Sequence, residues 1–197
     1  MCYGEELRRL GDISNLHIDI EDGNFVPNIT FGLKSVQAVA SATRARLDAH
    51  LMTTRPDNYI DKLAALGVRA ICLHIECTDY PLVQLGRIRA LGLQAGLALN
   101  FKTPLEELQM FLPQLDYLLV MTGEPDSEAL EFRPAALERL RRARALLPPG
   151  AQLWADGGIG PAQLPWLVRC GVDAAVMGRA LFQTPDPAAA LKEFEKC

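Results

Sequence analysis

Residues 58–75, NYIDKLAALGVRAICLHI, contain one copy of the repeated pattern on which the fold prediction rests. From Asn58 to Leu66 the apolar side chains recur at helical spacing, and the glycine that follows, Gly67, is the residue that commonly ends a helix. Ala70 to Ile75 is then a short apolar run of the length that suits a buried strand. The stretch therefore predicts one unit made of a helix, a glycine and a strand.

The same unit recurs along the chain, where Gly92-Leu93 and Gly171-Val172 occupy the position of Gly67-Val68. Seven short apolar runs predict strands: Leu16 to Ile20, Leu47 to Met52, Ala70 to Ile75, Gln94 to Leu99, Tyr117 to Met121, Gln152 to Ala155 and Ala174 to Met177. Strands that alternate with helices pair in parallel, so a closed (β/α)8 TIM barrel and an open doubly wound sheet are the candidate folds. Within one helical segment, Thr103 and Pro104 predict an N-cap and a first helical residue.

The strand count is one short of a closed barrel, which has eight strands and commonly about 250 residues. The helix predicted over Gly4 to Leu10 already precedes the run at Leu16, so the first strand is the one without a counterpart. Either the true start lies upstream of Met1, or seven strands leave two edges that a partner, a ligand or a bulky side chain must cover. With 197 residues, we expect one barrel domain over 1–197.

Composition narrows the class of protein. A formal net charge of −4 offers no basic surface for nucleic acid, and no apolar run approaches the roughly 18 residues that span a bilayer. The start of the chain lacks a secretion signal, so we expect a soluble, cytoplasmic protein without a nucleic-acid or membrane partner. The five cysteines are scattered and lack the paired spacing of a zinc site.

Ionisable residues interrupt the first predicted strand at every second position. Side chains alternate across a strand, so His17, Asp19 and Glu21 share the inward face while Ile18 and Ile20 face the helices. Three buried ionisable groups would each cost several kcal/mol if they were unpaired. They are therefore expected to be paired, solvated or bound to a metal.

Two later strands repeat this pattern. Asp48, His50 and Met52 share a face of the second strand, and Trp154 and Asp156 share a face of the sixth. Barrel enzymes carry their chemistry at the C-terminal ends of strands, and imidazole together with carboxylate suits Zn, Fe, Mn or Co. A single buried histidine is more often an ordinary hydrogen-bonded core residue, so the combination favours a divalent metal site.

Residues 17–28, HIDIEDGNFVPN, resemble the signature of the ribulose-phosphate 3-epimerase family. Further resemblances follow in the same order along the chain: Leu47-Asp48-Ala49-His50-Leu51-Met52, Leu73-His74-Ile75-Glu76, Gly96-Leu97-Ala98-Leu99-Asn100, Val120-Met121-Thr122 and Asp156-Gly157-Gly158-Ile159. This collinear agreement covers nearly the whole chain and is more specific than any single motif.

The resemblance implies that His17, Asp19, His50 and Asp156 bind one divalent ion. It also implies that Asp19 and Asp156 are an acid/base pair that inverts C3 of a ketose phosphate through an enediolate, with D-ribulose 5-phosphate as the leading substrate. A proton beside a ketone is weakly acidic, and a metal that stabilises the developing charge makes its removal feasible. The family's tendency to associate implies a homo-oligomer.

Four residues match positions on the substrate side of the family's site, and for each of them an ordinary core role is the alternative: Met52, Met121, His74 and Asn100. Glu21 departs from the family, which usually has a methionine there, and we expect it to contact substrate or to act near the metal; an ordinary glutamate at the rim is the alternative. The family's first strand, which carries a substrate-contacting serine, has no counterpart.

The phosphate loop is a further departure, because glycines of the family are replaced over residues 123–130, GEPDSEAL. We therefore expect the phosphate to bind at Gly157, Gly158, Gly178 and Arg179, where a guanidinium favours a dianion. The alternative is an Arg179 ion pair with Asp126 or Glu128 and no ligand.

Two other functions stay open at this point. A catalytically silent barrel that binds a sugar or phosphate ligand is favoured by the absent strand and the altered loop, and disfavoured by four intact metal ligands. A lyase or decarboxylase is weaker, because no lysine stands beside the inward carboxylates; Lys102 is the one to check.

Overall fold

The computed structural model describes residues 3–125 and 131–196. Seven strands form one sheet: β1 (Asn15–Glu21), β2 (Arg46–Met52), β3 (Ala70–His74), β4 (Gln94–Leu99), β5 (Tyr117–Met121), β6 (Gln152–Asp156) and β7 (Ala174–Val176). They pair in parallel in sequence order. Each strand that the sequence predicts is present, and each end lies within one residue of the expectation.

Helices connect the strands in the alternating order that the sequence predicts. They are α1 (Tyr3–Leu10), α2 (Leu33–Ala42), α3 (Ile60–Ala65), α4 (Pro81–Ala90), α5 (Ala136–Leu146), α6 (Leu164–Arg169), α7 (Arg179–Phe182) and α8 (Pro187–Phe194). Gly67 follows α3 with a φ of +83°, and Gly171 follows α6 with a φ of +76°. These left-handed conformations explain why glycine ends the helices of the repeated unit.

The sheet curls into a nearly closed barrel. Strands β1 and β6 are five places apart in the sheet order, which in a flat sheet would separate them by roughly 24 Å at about 4.8 Å per strand. Yet the side chains of Asp19 on β1 and Asp156 on β6 bring ligand atoms within 4.8 Å of each other. Among the described residues β1 and β7 do not pair, so this part of the chain forms seven strands of a TIM barrel with two free edges.

Alternation along the strands separates two cores. Ile18 and Ile20 belong to the large core between the strands and the helices, as predicted for the first strand. A smaller core fills the barrel interior with inward residues of β3, β4 and β5: Ala70, Cys72, Ala98, Tyr117, Leu119 and Met121. The polar residues of the inward faces therefore stand above an apolar floor.

Tyr117 is the largest side chain of that floor, and one glycine makes room for it. A Cβ on Gly96 of β4 would lie 2.4 Å from Cζ of Tyr117, well inside van der Waals contact. The Tyr117 ring stacks on Trp154 with 4.3 Å between ring centroids. Packing against the Tyr117 ring therefore explains the glycine of β4 without a turn or a ligand.

The predicted N-cap at Thr103 is wrong. A short 3₁₀ helix begins at Leu105 instead, and Pro104 precedes it in an extended conformation with φ −63° and ψ 144°. The Thr103 hydroxyl donates a hydrogen bond to the carboxylate of Glu76. The extended backbone at Pro104 thus places the start of the helix beyond Thr103, whose hydroxyl bonds to Glu76 and caps no N–H of the helix.

Across residues 3–125 and 131–196, none of the helices combines the length and the apolar character required to cross a membrane.

Candidate metal centre

Four side chains meet at the C-terminal mouth of the barrel. His17 and Asp19 come from β1, His50 comes from β2, and Asp156 is the last residue of β6. Each offers one ligand atom, and these four atoms lie within 4.8 Å of one another. The register explains the closeness of two of them, because Asp19 pairs directly with His50 across β1 and β2.

Asp19 lies between the two histidines. Its Oδ1 lies 3.1 Å from Nδ1 of His50 and 3.3 Å from Nε2 of His17. Nδ1 of His50 also lies 3.6 Å from Oδ2 of Asp156. The Asp19 side chain is 40% exposed and that of His50 is fully buried, so the group spans the rim and the interior of the mouth.

Charges within the group shift its pKa values in opposite directions. Burial disfavours a charged His17, but the carboxylates of Asp48 and Asp19 outweigh it and raise its pKa well above the usual value. Burial also disfavours ionised Asp19, but His17 and His50 outweigh it and lower the pKa of this carboxyl. The pKa of His50 is raised, because the carboxylates of Asp156 and Asp19 outweigh burial.

Asp48 lies behind the first histidine. Its carboxylate is hydrogen bonded to Nδ1 of His17, and its own side chain is only 10% exposed. The bond places a proton on Nδ1, so Nε2 is the nitrogen that faces Asp19 and the centre of the group.

A second carboxylate, that of Glu76, is connected to the other histidine ligand, His50, through His74. Nε2 of His50 lies 2.8 Å from Nε2 of the fully buried His74, and Nδ1 of His74 lies 3.1 Å from Oε2 of Glu76. Burial lowers the pKa of His74 to about 4 despite the neighbouring Glu76. Both ring nitrogens of His74 are therefore engaged with protein groups.

The residues present fit a divalent ion. Nε2 of His17 is buried and has no hydrogen-bond partner among the described residues, as expected for a nitrogen that serves as a ligand. Two imidazole nitrogens and two carboxylate oxygens form a donor set that suits Zn, Fe, Mn or Co. The group can therefore hold a metal ion.

The predicted substrate-side residues lie at or just beyond the C-terminal ends of strands. Met52 and Met121 are the last residues of β2 and β5 and are 3% and 2% exposed. Asn100 follows β4, and its Oδ1 is buried without a hydrogen-bond partner in the described part of the chain. Glu21 ends β1 opposite Met52, and its backbone N–H donates to the hydroxyl of Thr30.

The profile of the ribulose-phosphate 3-epimerase family matches residues 1–182. The chain belongs to that family. The sequence-based predictions of the family and of an isomerase that acts on carbohydrates are thereby confirmed.

Two curated relatives carry the name ribulose-phosphate 3-epimerase. The protein from Mycobacterium tuberculosis is 37% identical over 179 residues, which cover 89% of this chain and 78% of the relative. The protein from Synechocystis sp. is 35% identical over 195 residues, which cover 95% of this chain and 85% of the relative.

A solved structure supports the fold. The protein named KGPDC from Streptococcus mutans superposes with a TM-score of 0.74 over 97% of this chain and 88% of its own, at 13% sequence identity. At that identity the likeness concerns the barrel alone.

The phosphate residues predicted for this epimerase-family chain lie at two adjacent strand ends. Gly157 and Gly158 follow β6, while Gly178 and Arg179 follow β7 and are exposed. A Cβ on Gly157 would lie 2.5 Å from the backbone N of Gly123, so this glycine has a packing reason of its own. Asp126 and Glu128, the alternative partners of Arg179, lie outside the described residues.

Sequence reasoning placed Asp48 on an inward face without giving it a role, and it missed three further residues that support the site: Glu76, Thr103 and Arg139. Arg139 of α5 donates hydrogen bonds to the carbonyls of Asn100, Phe101 and Thr103 and fixes the segment after β4. A signal existed for Asp48, which lies two residues before His50 on the same face. The others come from separate segments, so their convergence has no local sequence signal. Lys102, the lysine that a lyase would have required, is exposed.

Proposed function

We propose that this member of the ribulose-phosphate 3-epimerase family inverts C3 of a ketose phosphate, with D-ribulose 5-phosphate and D-xylulose 5-phosphate as the leading pair. The observation that carries the proposal is the meeting of His17, Asp19, His50 and Asp156 within 4.8 Å at the barrel mouth. A sugar phosphate is the substrate class that the family implies.

His17, Asp19, His50 and Asp156 hold one divalent ion, which is Zn, Fe, Mn or Co. When bound, such an ion supplies Lewis acidity that stabilises the negative charge developing on the substrate oxygens. Asp48 orients the His17 ring so that its unpartnered Nε2 stays available as a ligand.

Asp19 and Asp156 exchange the proton at C3. One aspartate, as its carboxylate, removes the proton beside the ketone from one face of the sugar, and the other aspartate, as its protonated carboxylic acid, delivers a proton to the enediolate on the opposite face. The two residues come from different strands of the barrel mouth, β1 and β6. Inversion follows without a redox cofactor.

The remaining residues of the mouth position the sugar. Met52 and Met121 keep the surface beneath the substrate apolar and dry. The unpartnered Oδ1 of Asn100 and the carboxylate of Glu21 accept hydrogen bonds from sugar hydroxyls. Gly157, Gly158, Gly178 and Arg179 bind the phosphate. His74 lies at the base of the site, and its assignment to the substrate side stays a prediction.

Two predictions about the protein's surroundings accompany this function. We expect a homo-oligomer, because β1 and β7 present free edges in the described part of the barrel. We also expect a cytoplasmic protein, in line with the rice relative named as the cytoplasmic isoform.

The test is solvent hydrogen exchange at C3 of D-ribulose 5-phosphate, together with metal analysis of the purified protein. We expect one bound divalent ion per chain, deuterium incorporation with inversion in the wild type, and loss of both in Asp19→Asn and Asp156→Asn. The matched control is Asp12→Asn, which removes an exposed carboxylate before β1 and is expected to behave as wild type. Stabilisation by the sugar phosphate without exchange would select the catalytically silent barrel instead.

A further inference from the structure

A buried chain of hydrogen bonds connects one of the proposed metal ligands to a carboxylate outside the metal group. It runs from His50 through His74 to Glu76, with 2.8 Å between the two Nε2 atoms and 3.1 Å between His74 Nδ1 and Glu76 Oε2. The side chains of both histidines are fully buried and that of Glu76 is 15% exposed. The contacts are thus shielded from water that could replace them.

Glu76 is a hydrogen-bond acceptor within this series of contacts. Its Oε1 accepts hydrogen bonds from the backbone N–H of Asn100, at 2.8 Å, and from the hydroxyl of Thr103. Burial opposes ionisation, but His74, Thr103 and Asn100 outweigh it and lower the pKa of Glu76 to about 2. An ionised carboxylate has no proton to donate, so the proton between Glu76 and His74 belongs to Nδ1 of His74.

The position of the proton on His74 determines the position of the proton between His74 and His50. A second proton on His74 would place a charge in a fully buried ring, so its Nε2 carries a lone pair and accepts. Two lone pairs 2.8 Å apart would repel, and the proton of this contact therefore sits on Nε2 of His50. The nitrogen of His50 that can give up its proton to a metal is then Nδ1, the atom that faces Asp19 and Asp156.

We propose that Glu76 is a positioning residue that acts through His74 to fix the proton of His50 on Nε2 and so dedicates Nδ1 to the metal. The inference rests on the metal site proposed above and assigns to His74 a role behind the ligand. Asp48 fixes the proton of His17 through one hydrogen bond, whereas Glu76 fixes the proton of His50 through two, with His74 between them. Both ligands thereby present a defined nitrogen to the centre before any ion arrives.

The test variant is Glu76→Gln, because an amide cannot accept on both sides. If its oxygen faces His74, its NH2 group meets the N–H of Asn100, which is also a donor. If its NH2 group faces His74, the proton of His74 must move to Nε2 and collide with that of His50. Glu106→Gln makes the same chemical change at an exposed glutamate that pairs with Arg142, and serves as the matched control.

The first readout is the protonation state of the ring nitrogens, measured by histidine ¹⁵N NMR on the metal-free protein. We expect His74 of the wild type and of Glu106→Gln to carry its proton on Nδ1, and Glu76→Gln to lose that single state. A wild-type His74 protonated on Nε2, or a Glu76→Gln spectrum identical to that of the wild type, would overturn the inference. Because no metal is present, this readout stays decisive even if the proposed function fails.

The second readout is metal affinity, measured by competition with a chelating dye. Loss of a group that orients a ligand from behind typically weakens metal binding about 10- to 100-fold, which is the drop expected for Glu76→Gln. His74→Phe keeps a ring but removes the connection, so its effect and that of Glu76→Gln should overlap in the double variant. Fully additive effects would mean that Glu76 acts by its charge through space and would overturn the inference.

The two proposals fail differently. A wild type that keeps the Nδ1 proton on His74 but binds no divalent ion contradicts the proposed function and leaves the orientation of His50 intact. A wild type that binds metal and exchanges C3 hydrogen, with His74 indifferent to Glu76→Gln, contradicts only the role of Glu76.

Discussion

Asp48 is hydrogen bonded to Nδ1 of His17, while Nε2 of the same ring lies 3.3 Å from Oδ1 of Asp19. His17 and Asp48 face each other across β1 and β2 in direct register. The Asp48 carboxylate thus sets the tautomer of the His17 ring, and the Asp19 carboxylate lies beside Nε2, the other ring nitrogen.

Replacing Asp48 should therefore weaken metal binding although Asp48 is not itself a ligand. In Asp48→Asn the amide oxygen can still accept from Nδ1, but without a negative charge. We expect metal affinity to fall about 10- to 100-fold, as measured by dye competition. Asp12→Asn should leave the affinity unchanged. A folded Asp48→Asn protein with wild-type affinity would show that the carboxylate does not support the site.

Arg179 is expected to bind the phosphate of the substrate rather than to take part in proton transfer. Arg179→Ala should raise KM for the sugar phosphate about 10- to 100-fold with little change in kcat, because a hydrogen bond to a charged group contributes about 1.5–3 kcal/mol. The weak turnover of the sugar without phosphate should not change. Arg169→Ala removes an exposed arginine that donates to the carbonyl of Pro165, and provides the control. An equal loss with both sugars would contradict a phosphate contact.

Gly96 is expected to tolerate no side chain, because a Cβ there would lie 2.4 Å from the Tyr117 ring. Gly96→Ala should lower the free energy of unfolding by about 1–3 kcal/mol, the usual cost of overpacking a core. Gly86→Ala, in α4, adds its methyl group to open space and should be neutral or stabilising by about 0.5–1 kcal/mol. Urea unfolding of both variants tests this. A Gly96→Ala protein as stable as Gly86→Ala would mean that the Tyr117–Trp154 stack shifts at no cost.

Asp22 connects the loop after β1 to the end of β2 and should make stability depend on pH below 4. Its carboxylate accepts hydrogen bonds from the backbone N–H groups of Asn24, Phe25 and Thr54 and from the Thr54 hydroxyl. Burial slightly opposes ionisation, but these donors outweigh it and lower its pKa from 3.8 to about 2. The contribution of Asp22 is therefore present above pH 3.8 and is lost as the pH falls through 2.

Asp22→Asn should unfold at lower urea concentration than the wild type at pH 7, since its single amide oxygen cannot accept both from the N–H groups of Asn24 and Phe25 and from Thr54. The difference between the two proteins should shrink between about pH 4 and pH 2, where the wild-type carboxylate becomes protonated. Asp12→Asn is the control. A difference that stays constant over this range would contradict the assignment.

The pattern of residues alone predicted the alternating strands and helices and the inward faces of the strands, while the choice of a barrel and of four metal ligands came from the resemblance to a family. Strands of β1 to β7 were predicted within one residue because alternation and apolar run length are local properties of the chain. The same alternation placed His17, Asp19, His50 and Asp156 on inward faces, since a side chain's face depends only on its position within its own strand.

Only the tertiary structure decided what stands behind those ligands. Glu76 reaches His74, Asn100 and Thr103 because parallel pairing of β3 and β4 brings their C-terminal ends together, and the hydroxyl predicted to cap a helix bonds to this carboxylate. Likewise, the space above Gly96 is filled by a ring from β5. Hydrogen bonds and steric contacts of this kind depend on distances between segments, which the local pattern of residues does not fix.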